Sequence, residues 1–294
     1  MGRGRADLHA RRAAVTRLID AHQHFWSLAT EGHEWPTAAE AAIHRDFGPD
    51  DLVVATSGLS LDGTVLVQSQ PTDRDTDWML ELAARTPLVR AVVGWVDLLH
   101  PHAPERIGAL ARQPKLRGLR PMLQSIADTE WLLQDALTPA LEAMQAADLR
   151  LDALVEPRHL PMLARFAARW PGLPIVIDHA AKPDAATMTL DPWRVDIAAL
   201  GQLGLYCKLS GLRTEQAPGQ PAEALTPYVE HLVKVFGARL MWGSDWPVVR
   251  LSGDDWRRWH HDAGQLAGRA GADLDQLFGG AAVAFYGLDD PRSA

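Results

Sequence analysis

One cysteine, Cys207, in 294 residues excludes a disulfide framework, because a lone thiol has no partner in its own chain. No stretch reaches the roughly 18 uncharged apolar residues of a membrane-crossing helix, so no membrane partner is expected. Positive charge is scarce too. With 29 Lys and Arg against 37 Asp and Glu, the net charge is −8, which disfavours a nucleic-acid partner, since such binding rests on basic neutralisation of phosphates. Tyr (3) and Phe (6) are few, whereas Trp reaches 11. Indoles can stack on sugar rings, but most fill cores and their rims.

What is present suits a folded enzyme. Hydrophobic residues make up 47% of the chain, enough for a sizeable core. The low thiol count fits a cytoplasmic protein. Residues 1–17 carry five Arg and one Asp without an apolar stretch, so they are expected to form a flexible N-terminal tail rather than a secretory signal. Residues 18–294 are expected to form one domain, with no internal repeat and no linker.

Short β-rich runs occur at 18–25, 64–70, 91–97, 117–123, 150–155, 174–179, 205–210 and 240–245. Helix-like stretches separate them at 75–85, 104–112, 139–147, 161–170, 191–203 and 227–236, and several open with Pro or Asp. Strand–helix alternation implies parallel pairing. Eight such units fit a closed (β/α)₈ TIM-like barrel in the α/β class, with 273–286 as the last helix. An open doubly wound sheet would carry a Gly-rich phosphate loop after its first strand, where AHQHFWSLAT stands instead. Residues 27–60 and 211–226 read as long loops able to cover a site.

A barrel of this kind builds its active site at the C-terminal ends of its strands. The first run ends in His22-Gln23-His24, the sixth in Asp178-His179 and the eighth in Gly243-Ser244-Asp245. Residues two apart on a strand share a face, so both imidazoles of the first run can converge on the barrel mouth. His22, His24, His179 and Asp245 together are a ligand set suited to Zn²⁺, Mn²⁺ or Fe²⁺. Arg120 ends the fourth run, where it can hold a substrate oxygen or pair with a loop acid. Gln68 ends the second run and can bond a hydroxylated ring. Lys208 shares a face with Ser210, and a cation there must be paired or in the pocket. Trp26 and Trp246 stand beside ligand positions, where an indole can pack on a sugar or simply fill the rim. Cys207 and Glu156 read as structural.

The segments IDAHQHFW, IDHAAKP, CKLSGL and GSDWPV, with VQSQ, VGWVDL and LRGLRPMLQ, resemble the lactonase-rich branch of the amidohydrolase superfamily over residues 18–286. That resemblance implies a distorted (β/α)₈ barrel and hydrolysis of a small lactone. By position it assigns His22 and His24 to the strand-one pair, His179 to the strand-six histidine and Asp245 to the strand-eight aspartate. In that role Asp245, with His179 and His24, is catalytic. Strand four offers no lysine or glutamate to bridge two metals, so at most one divalent ion is implied, Zn²⁺ ahead of Mn²⁺. Some members of the branch work without a tightly held metal. The expected partner is a small lactone, a neutral sugar lactone ahead of a dicarboxylate one. The rivals are a decarboxylase of an aromatic or unsaturated acid and a barrel that only binds its ligand. A homo-oligomer is compatible with every one of these features.

Overall fold

Val-, Ile- and Leu-rich runs too short to stand alone must pair with neighbours of the same kind. In the computed structural model, which describes residues 17–288, they do so as one eight-stranded parallel sheet in the order β1 to β8. The strands are β1 (Ile19–Gln23), β2 (Gly63–Val67), β3 (Val89–Gly94), β4 (Leu116–Leu119), β5 (Arg150–Ala153), β6 (Ile175–Ile177), β7 (Tyr206–Leu209) and β8 (Leu240–Trp242). The sheet curls until β1 meets the segment after β8. There His24 N donates to Trp246 O (2.8 Å) and Asp245 N to His22 O (2.8 Å). The expected α/β, TIM-like (β/α)₈ barrel is the observed architecture. The tail expected at 1–17 lies outside the described residues except for Arg17.

Alternate residues divide the core. Ile19, Ala21, Val65, Val67, Ala91, Val93, Val176 and Met241 form one cluster with the C-terminal helix, while Leu66, Val92, Ile177, Leu209 and Trp242 join a larger cluster with the surrounding helices. That period of two is what a sheet buried on both faces requires. The outer helices are α1 (Pro49–Ala55), α2 (Asp73–Ala84), α3 (Ala103–Leu110), α4 (Thr138–Ala146), α5 (Leu160–Arg169), α6 (Trp193–Gln202), α7 (Thr226–Phe236) and α8 (Trp256–Arg269), and the C-terminal helix that packs on the inner cluster is α9 (Ala281–Tyr286).

Two expectations need correction. The helix following β8 is α8, and residues 273–286 hold a π turn, Gln276–Gly280, running into α9. Gly264 and Gly268 lower the helical propensity of 256–269, yet the segment is amphipathic. It buries Trp256, Trp259, Ala263, Leu266 and Ala267, and Asp255 caps it by accepting from Arg258 N. The loop 27–60 contains α1, which opens on Gly48-Pro49. Among the described residues no helix is long and apolar enough to cross a membrane.

Candidate active site

The strands end earlier than their β-rich runs, so His24, Gln68, Arg120, His179 and Asp245 sit on the connections just beyond them, whereas His22 and Lys208 lie within β1 and β7. In β1 the register with β2 shifts between Asp20 and Gln23. This irregularity turns the chain so that His22 and His24 converge, with Nε2 atoms 3.2 Å apart. After β6, His179, Ala180, Ala181 and Lys182 take φ of 52°, 50°, 59° and 51°. A left-handed turn of non-glycine residues costs roughly 1–2 kcal/mol per residue, and it folds His179 back over the barrel. Its Nδ1 is 2.9 Å from Ser210 Oγ. Asp245 is also left-handed, at φ 54°, just beyond β8.

Asp245 stands among three imidazoles. Its Oδ1 is 3.4 Å from His24 Nε2, 3.8 Å from His22 Nε2 and 3.9 Å from His179 Nε2. Burial pushes the Asp245 carboxyl up, but His179, His24 and His22 outweigh it and hold the group well below the usual carboxylate range. Burial likewise pushes His179 down to about 4, and holds His22 well below its ordinary value with help from the Lys208 charge. At neutral pH Asp245 is therefore ionised, and burial favours the neutral form of the His22 and His179 rings.

That arrangement bears on a metal. His24 Nδ1 lies 2.8 Å from Val67 O, so it carries the ring proton and leaves a lone pair on Nε2. This lone pair faces the Asp245 oxygen and His22 Nε2, all within 4.8 Å of one another. Three electron-rich atoms that close need a proton or a cation between them. Two imidazoles and a carboxylate are a borderline-hard donor set, so the residues fit a divalent ion such as Zn²⁺. Asp178 Oδ1, 3.4 Å from His22 Nδ1, is placed to orient that ring from behind.

A cavity of about 430 Å³ opens above these groups, lined by His24, His179, Asp245, Arg120 and Lys182 with Trp35, Gln70, Met122 and Leu154. Of the expected substrate-binding residues only Arg120 lines it. Its Nη1 pairs with Asp178 Oδ2 (3.2 Å), its Nη2 donates to Gln68 O (2.5 Å), and its buried Nε has no partner. Gln68 is fully buried and donates through Nε2 to Arg120 O, so it braces the arginine. Trp26 and Trp246 are buried behind the wall with Phe47, and Trp26 Nε1 donates to Arg45 O. Lys208 lies beneath the site, fully buried between Asp152 Oδ2 (2.5 Å) and Asp178 Oδ1 (2.9 Å), with its Nζ 3.1 Å from His22 Nδ1. These four side chains support the site rather than line the cavity.

Several residues of consequence carry no motif of their own. Asp20, fully buried, accepts from Ser244 N (2.8 Å), Ser244 Oγ (2.6 Å), Trp256 Nε1 (2.7 Å) and His22 N (3.2 Å), and so ties β1 to the Asp245 segment. The signal was an aspartate inside an apolar strand, which is seldom buried without partners. Trp35 comes from a connection where nothing in the local pattern marks it, and Lys182 falls within the IDHAAKP segment without being singled out there as a lining residue.

The model of the Amidohydrolase family matches residues 19–288. The chain belongs to that family. Within it, an L-fucono-1,5-lactonase of Burkholderia ambifaria is 49% identical over 283 residues, covering 94% of this chain and 98% of the relative. An L-fucono-1,5-lactonase of Burkholderia multivorans is 34% identical over 295 residues, with 94% and 98% covered. A crystal structure of an amidohydrolase from Burkholderia multivorans with bound Zn superposes with a TM-score of 0.86 at 33% identity, covering 92% of this chain and 99% of that one.

Gly211 tests how tightly this amidohydrolase site is held. It has φ +65°, and a Cβ there would lie 2.5 Å from His179 Nδ1 and 2.6 Å from its Cγ. Gly211→Ala is expected to push His179 off Ser210 and to lower kcat/KM by about 10²-fold, the cost of displacing a reacting group by around an ångström. Steady-state kinetics beside a thermal melt decide it, and a folded variant with parental activity would show that His179 is dispensable.

Proposed function

We propose that the chain is a cytoplasmic hydrolase that opens a neutral sugar-acid lactone by Asp245-assisted attack of water on the ring carbonyl. The observation that carries the mechanism is an ionised, buried Asp245 within 4 Å of the His22, His24 and His179 rings, on the wall of the cavity. Asp245 takes a proton from water as it attacks, and returns it to the departing ring oxygen, serving as base and then as acid. Charge gathers on the carbonyl oxygen in the tetrahedral state, where the Arg120 guanidinium and the His179 ring can stabilise it. A divalent ion held by His22, His24 and Asp245, Zn²⁺ ahead of Mn²⁺, would polarise the carbonyl and acidify the attacking water.

Charge argues for a neutral substrate. The two cations lining the cavity already face carboxylates, Arg120 with Asp178 and Lys182 with Glu215. Glu34 adds a negative charge at the rim. A dicarboxylate lactone, or an aromatic acid awaiting decarboxylation, would have to bring its charge to a pocket whose two described lining cations are each already balanced by a carboxylate.

The test is acid release from L-fucono-, L-rhamnono-, D-galactono- and L-arabinono-lactones with a pH indicator, with Zn²⁺, Mn²⁺ or a chelator in parallel wells. Hydrolysis well above the spontaneous rate is expected, together with loss of activity and of bound metal in the chelator wells. Full activity in protein shown by elemental analysis to be metal-free would remove the ion from the mechanism. Silence on every sugar lactone under every condition would remove the reaction.

A further inference from the structure

Lys182 is held in the cavity by an unusual backbone, and nothing in the mechanism above uses it. The left-handed turn from His179 to Lys182 closes on itself through Lys182 N donating to His179 O (2.8 Å). A right-handed continuation would carry Lys182 away along the helical ring, whereas the left-handed turn returns it to the cavity wall beside His179. Its side chain is 25% exposed, against 5% for Asp245, so it stands nearer the mouth than the reacting groups.

Across from it, Glu215 follows Thr214, a lining residue on the connection after β7. Lys182 Nζ and Glu215 Oε1 are 3.6 Å apart. That separation pairs the charges but exceeds an ordinary hydrogen bond. Lys182 is paired in charge with Glu215, and an ammonium and a carboxylate so paired still have further donors on the one and further acceptor sites on the other. A cation that only donates beside an anion that only accepts is complementary to neighbouring hydroxyl groups, each of which does both.

We propose that Lys182 and Glu215 form a diol-reading pair that holds adjacent ring hydroxyls of the lactone and sets the preference for polyhydroxylated over unsubstituted rings. This rests on the lactonase reading of the site. The carbonyl end lies deep among Asp245, His24 and His179, and the hydroxylated edge faces the mouth. A site built to hydrogen-bond hydroxyls discriminates strongly against an analogue that lacks them, because its polar groups are then buried unpaired.

The experiment compares L-fucono-1,5-lactone with δ-valerolactone, a six-membered lactone without hydroxyls, in the full-length protein and in Lys182→Met, Lys182→Arg and Glu215→Gln. Where δ-valerolactone is too slow a substrate, its inhibition constant takes the place of its KM. Lys182→Met is expected to cut the preference for the hydroxylated lactone about tenfold or more, chiefly through KM. Lys182→Arg should recover part of that preference, and Glu215→Gln should lower it in the same direction. An unchanged preference, or equal losses on both lactones, would overturn the proposal, the second pattern marking a structural role. A parent protein that hydrolyses neither lactone nor any other sugar lactone is a different failure, that of the lactonase reading itself.

Discussion

Asp245→Asn is expected to lower kcat/KM on a sugar lactone by about 10²–10⁴-fold, the usual weight of a positioned general base. The side chain keeps its shape, and Asn tolerates the left-handed backbone that Asp245 adopts. The backbone bonds of this residue, from its N to His22 O and from Val249 N to its own O, do not involve the carboxylate. The variant should therefore fold and melt close to the parent. An amide cannot accept the proton of water, so binding can survive while turnover fails. Single-turnover measurements with a thermal melt separate the two, and near-parental turnover in the folded variant would sink the mechanism.

Lys208→Met is expected to destabilise the fold by about 3–5 kcal/mol, because removing one member of a buried ion network leaves the others uncompensated. Lys208 is fully buried between Asp152 and Asp178, and Tyr286 Oη donates to the same Asp152 oxygen (2.6 Å). Without the ammonium two carboxylates confront each other in the barrel interior. Burial already raises the Asp152 carboxyl above its usual 3.8, even against the pull of Lys208. A carboxyl raised in the fold keeps its proton where the unfolded chain has lost it, so its contribution falls as pH rises past that usual value. The variant should thus be less unstable at pH 5 than at pH 8. Urea unfolding at both values measures this, and a midpoint equal to the parent at pH 8 would show that the interior is wetter than the burial implies.

The barrel was legible because eight β-rich runs alternate with helical stretches, a pattern each segment displays locally. His22, His24, His179 and Asp245 were legible because polar groups at strand ends break an otherwise apolar rule. Other features depend on contacts between distant parts of the chain. Lys208 on its strand reads equally as a pocket residue or a paired core cation, and only Asp152 and Asp178, each more than 25 residues away, decide for the second. Trp26 and Trp246 sit beside the expected ligands in sequence, yet their rings turn into an aromatic cluster with Phe47. Lys182 looks like a loop lysine before Pro183 until the left-handed turn returns it to the cavity. The helix α8 hides behind its glycines, since its stability comes from the tryptophans it buries rather than from propensity.

The bonds that close the barrel are also bonds of the candidate active site. Asp20 to Ser244, His22 to Asp245 and His24 to Trp246 join the first strand to the segment after the last, more than 220 residues away along the chain. Any occupant bridging His22, His24 and Asp245 is therefore a clasp on the two ends of the folded chain. Its binding energy adds directly to the resistance of the whole barrel to unzipping, and catalytic integrity and ring closure are lost at the same seam.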